Sequence, residues 1–459
     1  MQPVIRSPLQ GTARLISEDR AINVPITVPG SVYDALITAG LLEDPFYGLN
    51  ELQSQWVHET DWTIFTDFTV PPEIESREHI FCKFYGIDTF ATILLNDNVL
   101  GSADNMHREY EFEITPWIIA GTNRLTLRFQ SPSRVARELH EADNERIKPY
   151  PGQLPGRVYA HKAQYSFGWD WGPALSDIGI WRPVEFIGTD DARLLDFQVI
   201  PTFTTHLILH PQPPSHFVRG QHEADNKRIR LDPGQQISWS FAADYARVNL
   251  AVNVHLGGEP SAEKSLQYRA ILRYMSPQPL EFEQIEESDS PTLSFELEPQ
   301  LWWIAEIGLP NLYHIEVQLV DGGEVIDSLS ARIGIRDLKL IRRADEWGET
   351  FFFQLNGVPI FAKGADWIPV HSFIPKGRRL NLIQGSLNDA VAAHMNMLRI
   401  WGGGVMEDDA VYDFCDEHGI LLSQDFPFAC GFNPLIRDVQ GDFNAFYRNT
   451  AILATQNVV

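Results

Sequence analysis

Met397-Leu398-Arg399-Ile400-Trp401-Gly402-Gly403-Gly404 is followed, after a short gap, by Asp408-Asp409-Ala410-Val411-Tyr412-Asp413-Phe414-Cys415-Asp416-Glu417-His418-Gly419 and then Ile420-Leu421-Leu422-Ser423-Gln424-Asp425. The first and last runs are short and apolar, the pattern of buried strands. Between them, Asp408 and Asp409 suit the positive end of a helix dipole. Val411, Phe414 and Cys415 share that helix's inner face, and Gly419 is placed to end it. Strand, helix, strand in so few residues is a parallel unit.

The same rhythm extends upstream. Phe351-Phe352-Phe353 leads to Asn356-Gly357, a hairpin signal, and Ile360-Phe361-Ala362 reads as a first buried strand. Ser386 has the chemistry of a helix N-cap, with Leu387, Ala390 and Val391 on one face behind it. Asp442 onward reads as helical. Repeated β and α elements are the opening of a (β/α)8 barrel. Such a barrel takes about 250 residues, whereas Phe351 to Val459 holds 109. The expectation is the first part of a barrel, stopping before a fourth strand.

Polar groups at the carboxyl ends of barrel strands form active sites. Here these are Lys363-Gly364-Ala365-Asp366-Trp367-Ile368-Pro369 after strand one, Arg399 to Gly404 at strand two, and Gln424-Asp425-Phe426 at strand three. Arg399 and Asp425 also suit a structural ion pair. Gly402 to Gly404 reads as a tight turn, lacking the spacing of a nucleotide loop. Lys363 is expected to pair with a neighbouring acid.

Residues 1–190 read as all-β. Leu125, Leu127 and Phe129 alternate with polar residues, Ala91 to Asn96 enters a turn at Asp97-Asn98, and Ser31 to Leu42 suggests a short helix. A second β region, 191–335, keeps strict period two at Val248, Leu250, Val252, Val254 and Leu256, and again at Tyr313, Ile315, Val317 and Leu319. That suits an immunoglobulin-like sandwich. The acidic stretch Gly257 to Pro291 reads as a solvated excursion. The third region is 336–459.

Tyr165-Ser166-Phe167-Gly168-Trp169-Asp170-Trp171-Gly172-Pro173 stands out within the first region. Burying a bare carboxylate between two indoles is costly. Indoles that cover the C–H face of a pyranose, with a carboxylate for its hydroxyls, account for it. So does an aromatic corner in which Asp170 caps a turn. The chain carries 36 Lys and Arg against 61 Asp and Glu, a net charge of −25. That argues against nucleic acid or an anionic membrane as partner and suits a neutral substrate. Cys82, Cys415 and Cys430 give neither a disulfide framework nor metal spacing. With no signal-like apolar core in Met1 to Ser7, they point to a cytoplasmic setting.

Taken together, these motifs resemble a β-mannosidase of glycoside hydrolase family 2, fungal intracellular type. The resemblance rests on Val28-Pro29-Gly30-Ser31-Val32, Asp44-Pro45-Phe46-Tyr47-Gly48, Gly86-Ile87-Asp88-Thr89, Gln164 to Pro173, Leu301-Trp302-Trp303, Asn356 to Pro369 and Asn396 to Phe426. It implies a multidomain β plus α/β protein: a jelly-roll sandwich, an immunoglobulin-like sandwich, then the start of a TIM barrel. It implies retaining removal of terminal non-reducing β-D-mannose from oligosaccharides without cofactor or metal, by two carboxylates about 5–5.5 Å apart. In that family these are glutamates on barrel strands four and seven, beyond Val459, so residues 1–459 alone are expected to be inactive. The family places Trp169, Asp170 and Trp171 in the terminal mannose subsite, with Trp401 as floor or wall and Arg399 orienting a carboxylate or hydroxyl. Asp366 and Trp367 are expected on the strand-one loop, with Asp425 in support. Related exo-β-glucosaminidases, endo-β-mannosidases and a non-catalytic carbohydrate-binding role share the same pattern, and a homodimer is an open arrangement. Three positions depart from the family: Asp366 where Asn is usual, His371 where an acid is usual, and Ile304 where Pro is usual.

Overall fold

The computed structural model describes residues 3–9, 12–144, 148–203, 209–212, 240–243, 247–258, 265–275, 282–427 and 429. The first module is a sandwich of two antiparallel sheets. A six-stranded sheet runs in the order Ile22–Ile26, Ala13–Ser17, Trp62–Thr69, Thr122–Phe129, Ala91–Leu95, Asn98–Ala103. It faces a four-stranded sheet of Ile5–Pro8, Val184–Thr189, His79–Phe84 and Tyr110–Glu113. The period-two positions do what alternation requires: Leu125, Leu127 and Phe129 are buried together with Leu15, Ile64, Phe84 and Phe186 in one core. Ser31 caps the helix Val32–Thr38 by accepting from the Asp34 amide, and the helix ends at Thr38, short of the expected Leu42.

In the second module, a three-stranded sheet (Arg193–Phe203, Val248–Gly257, Thr292–Leu297) packs on a four-stranded one (Glu283–Ser288, Leu266–Met275, Leu312–Asp321, Glu324–Ile333). Here the reading of 257–291 as a solvated excursion is overturned. Leu266–Met275 is an inner strand, and its Tyr268, Ala270 and Leu272 belong to the core. The acidic character misled because it is used across the sheet. Glu283 lies opposite Arg273 and Glu287 opposite Arg269, joined by ion pairs of 2.6 and 2.5 Å.

The third module begins with a three-stranded antiparallel sheet, in which Leu338–Ile341 pairs with Phe352–Leu355 and the latter forms a hairpin with Val358–Ile360. The hairpin's turn residues Asn356 and Gly357 both have positive φ, 47° and 82°, as a type I′ turn demands. Next comes a parallel sheet of Gly364–Trp367, Met397–Ile400 and Leu421–Gln424 in that order, with Asp366 level with Arg399 and Arg399 level with Ser423. The helices Leu382–Ala392 and Asp409–His418 alternate with these strands. The fold is therefore a jelly-roll sandwich, an immunoglobulin-like sandwich and the opening strands of a barrel.

Several details differ from expectation. The first barrel strand is Gly364–Trp367, because Val358–Ile360 is used by the hairpin, and Phe361 is exposed rather than buried. Asp366 and Trp367 thus lie within a strand, not on the loop after it. Ser386 sits inside its helix, which begins after Asn381, and Val391 is partly exposed while Leu387 and Ala390 are buried. Asp408 takes the N-cap position and Gly419 closes the helix with φ 67°. The helix expected from Asp442 falls outside the described residues.

The modules are joined by packing. Trp302, Ile304 and Leu312 share a buried cluster with Leu355, Ile360, Met397 and Leu421, so the departing residue Ile304 is part of the core. Tyr33 of the first sandwich stacks on Phe373 at 5.0 Å, and Arg379 bonds Asp34 at 2.7 Å.

Candidate functional site

Residues 366, 399 and 423 share the sheet face opposite the flanking helices. On that face Arg399 binds Asp425 through two contacts, Nε to Oδ1 at 3.1 Å and Nη2 to Oδ2 at 2.5 Å. Its Nη1 reaches Asp366 Oδ1 at 3.0 Å. The two carboxylates, Asp366 first, raise the guanidinium's pKa further above its ordinary value. Asp425 also accepts from the Gly402 amide at 3.2 Å, which ties strand three to the turn after strand two. The structural pairing is real, and the group still faces outward: all three side chains are partly open to solvent.

That turn explains the triple glycine. A Cβ on Gly403 would lie 1.9 Å from the Trp401 ring, and one on Gly402 would lie 2.3 Å from the Phe426 carbonyl oxygen. Glycine lets the indole fold back over its own turn, and no phosphate cradle need be invoked.

The Trp-Asp-Trp run of the first sandwich comes to the same place. Trp169 and Gly172 exchange backbone hydrogen bonds, 3.1 and 3.3 Å, so Asp170 and Trp171 form an exposed turn tip. Trp169 meets Trp401 edge-on at 4.8 Å between centroids, and Trp171 meets it at 5.9 Å. The Tyr165 amide donates to the Gly403 carbonyl at 3.0 Å, and its hydroxyl donates to the Ser372 carbonyl at 2.8 Å. Arg157 lies over the Trp169 ring at 5.0 Å. Among the described residues no hydrogen bond holds the Asp170 carboxylate, so the turn-capping reading finds no support.

Of the eight residues the sequence singled out, Trp169, Trp171 and Trp401 are in direct contact, and Asp366, Arg399 and Asp425 form one ionic cluster joined to the Trp401 turn. Asp170 is adjacent. Trp367 is a correction. It is buried with Leu387, Ala390, Leu398 and Phe414 on the helix side of the sheet, because residues 366 and 367 point to opposite faces. Its indole N–H donates to Glu407 at 2.9 Å. Burial raises that carboxyl above the ordinary carboxylate range.

Sequence reasoning missed Glu407 and the clamp next to it. Arg378 binds Asp408 Oδ1 and the Trp181 carbonyl, both at 2.6 Å, and lies over the Trp181 ring. Arg182 donates to the Met406 and Glu407 carbonyls at 2.7 and 3.0 Å. The charged run after the triple glycine was the available signal, and helix polarity had absorbed it.

Residues 12–182 match the glycosyl hydrolase 2 galactose-binding domain-like family, and residues 229–336 match glycosyl hydrolases family 2. The chain belongs to glycosyl hydrolase family 2. Similar proteins include β-mannosidases. Beta-mannosidase B of Aspergillus clavatus is 32% identical over 420 residues, covering 91% of this chain and 45% of its own length. Beta-mannosidase of Bos taurus is 31% identical over 452 residues, covering 95% and 46%. The crystal structure of β-D-mannosidase from Dictyoglomus thermophilum superposes with a TM-score of 0.76 at 33% identity, covering 99% of this chain and 50% of that one. The chain thus spans about half the length of the relatives it matches.

Proposed function

We propose that the protein to which these residues belong is a retaining exo-β-mannosidase, acting on terminal non-reducing β-D-mannose of oligosaccharides. In this reading residues 1–459 supply the sugar-holding half of the site. Trp169 and Trp171 form one wall and Trp401 an adjoining one, nearly perpendicular to it. Asp170 accepts from hydroxyls, and Arg399 is held in place by Asp366 and Asp425. The two catalytic carboxylates are assigned to later barrel strands. The observation that carries the proposal is the meeting of Trp169 and Trp171 with Trp401 across two modules, beside an exposed charged cluster on the barrel face. Indole faces next to a free carboxylate suit a polyhydroxylated ring and suit a nucleotide or lipid poorly. Resemblance to β-mannosidases over nine-tenths of the chain supports the same substrate class. The free, buried thiols of Cys82 and Cys415 fit the cytoplasmic setting that forms part of this proposal.

The test compares this chain with a form extended through a complete barrel, using aryl β-D-mannoside, β-D-glucoside and β-D-glucosaminide. The extended form is expected to hydrolyse the mannoside preferentially, through recognition of the axial 2-hydroxyl, and the 459-residue chain to hydrolyse none. Turnover by the 459-residue chain would overturn the division of labour. Preference for the glucosaminide would move the assignment to the exo-β-glucosaminidase branch.

A further inference from the structure

The Trp-Asp-Trp turn rides on a long excursion of the first sandwich, and a buried lysine fastens the two ends of that excursion. Lys162 stands at its start and Asp177 at its end. The Lys162 ammonium donates to both carboxylate oxygens of Asp88 and to the Asp177 backbone carbonyl, the last at 2.8 Å. The lysine side chain is 1% exposed and that of Asp88 8%. Lysine is almost never buried this deeply unless it is paired.

Stability alone does not account for the pair. A buried ion pair commonly contributes no more than apolar side chains of similar volume. What this one adds is placement. On the outgoing limb, the Met106 amide donates to the His161 carbonyl at 2.9 Å and the Ala163 amide donates to the Met106 sulfur at 3.0 Å. On the returning limb, Gly179 pairs with Asp88 and Ile180 with Ile87. Lys162 joins the two limbs, through Asp88 to the returning ladder and through the Asp177 carbonyl to the chain just before it. Farther along, the Ala174 amide donates to Glu51 at 2.8 Å and the Gln55 side chain donates to the Ala174 carbonyl at 3.1 Å. Those bonds hold the returning limb to the sandwich, not to the outgoing limb.

From this base the excursion runs straight into the pocket. The Gln164 side chain donates to the Lys162 and Arg157 carbonyls, each at 3.0 Å, and the Ser166 hydroxyl donates to the Ala163 carbonyl at 2.7 Å. Between them Tyr165 already touches both walls. Its amide donates to Gly403, and its ring stacks against Trp171 at 6.0 Å. A shift at the base is therefore carried to the indoles through a segment with little slack.

Resting on the β-mannosidase reading, we propose that Lys162 is a positioning residue for the mannoside pocket: its bond to the Asp177 carbonyl sets where Trp169, Asp170 and Trp171 stand against Trp401. Being buried, the ammonium does not touch the sugar and takes no part in bond breaking. Its loss displaces the wall while the sandwich core, which lies elsewhere, stays folded.

The experiment uses the 459-residue chain, with methyl β-D-mannoside as the probe. Affinity is read by NMR methods suited to millimolar binding, and the indole cluster by near-ultraviolet circular dichroism. Lys162→Met alone strands the Asp88 charge, so the decisive variant combines it with Asp88→Asn. This double variant is expected to keep a cooperative thermal transition, to lose much of the indole signal and to bind about tenfold more weakly. Asp88→Asn alone leaves the bond to Asp177 in place and should keep the signal, with affinity within about twofold. Lys162→Gln with Asp88→Asn retains a shorter donor and should fall between the two, which keeps the test open if the methionine form does not fold. Leu272→Ala, in the core of the second sandwich, supplies a chain destabilised away from the excursion, and its affinity should not change. Natural affinity and an unchanged indole signal in the double variant would overturn the proposal. Equal weakening in Leu272→Ala would also overturn it, by reducing the effect to stability. No mannoside binding by the natural chain, with the indole signal still lost in the double variant, would overturn the β-mannoside reading and support the placement of the turn by Lys162.

Discussion

Trp401 is the hinge of the proposed pocket, and its contacts make a quantitative test. It meets Trp169 at 4.8 Å and Trp171 at 5.9 Å, both edge-on, with interplanar angles of 70° and 71°. Each such pair contributes about 0.5–1.5 kcal/mol beyond the apolar area it buries. Trp401→Ala should therefore cost about 1–3 kcal/mol in ring contacts alone. The informative quantity is the coupling in a double-mutant cycle with Trp169→Ala, expected at about 0.5–1.5 kcal/mol because the rings touch. A control cycle with Trp347, 86% exposed on a separate hairpin, should be additive within about 0.5 kcal/mol. Scanning calorimetry supplies the free energies, and near-ultraviolet circular dichroism of the indole cluster reports the contact directly. Additive losses in the Trp169 cycle, with an unchanged indole signal, would mean that the two modules do not meet through these rings, and the proposed pocket would lose its wall.

Other outcomes follow from buried groups. Trp367→Phe removes the donor to Glu407, leaving a carboxyl that is 4% exposed without its partner. The expected cost is about 1–3 kcal/mol, read as a lower thermal midpoint, and an unchanged midpoint would mean the bond is idle. Burial raises the Asp177 carboxyl from 3.8 to about 7, with Asp88 adding to the shift and Lys162 opposing it. The folded state then holds a proton that the unfolded state releases, so this group's contribution declines as pH rises from about 4 to about 7. Asp177→Asn removes that dependence. Its midpoint relative to the natural protein should rise between pH 5 and pH 8, and a constant difference across that range would refute the assignment.

The sequence carried the fold wherever burial imposed a period. The strands at 122–129, 248–257 and 312–321 alternate cleanly because one face is dry. The parallel strands at 397–400 and 421–424 announced themselves as short apolar runs between capping signals. Reading failed where charge and period coincide. The strand Leu266–Met275 carries an apolar centre at Ala270, Ile271 and Leu272, yet flanking glutamates disguised it, and only pairing across the sheet shows what they do. It failed again where a strand begins at glycine. Asn356-Gly357 marks the hairpin that takes Ile360, but nothing local marks Gly364 as the start of a barrel strand, and that shift of a few residues decided which way Trp367 points. Candidate residues were legible through their chemical oddity, a carboxylate between indoles or a charge at a strand end. Glu407 and Arg378 were not, since their importance comes from burial and from partners distant in sequence.

One feature of the architecture reaches past the site itself. The adjoining walls of the proposed pocket belong to different modules, the Trp169–Trp171 turn to the sandwich and Trp401 to the barrel strands. A sugar that rests against both walls also acts as mortar for the joint, and the linkage is reciprocal. Occupancy tightens the seam, and loosening the seam weakens occupancy by the same factor. The Arg378–Asp408 clamp, which touches no wall of the pocket, can therefore set affinity from a distance. Substitutions there should register as weaker sugar binding even though every residue in reach of the sugar is unchanged.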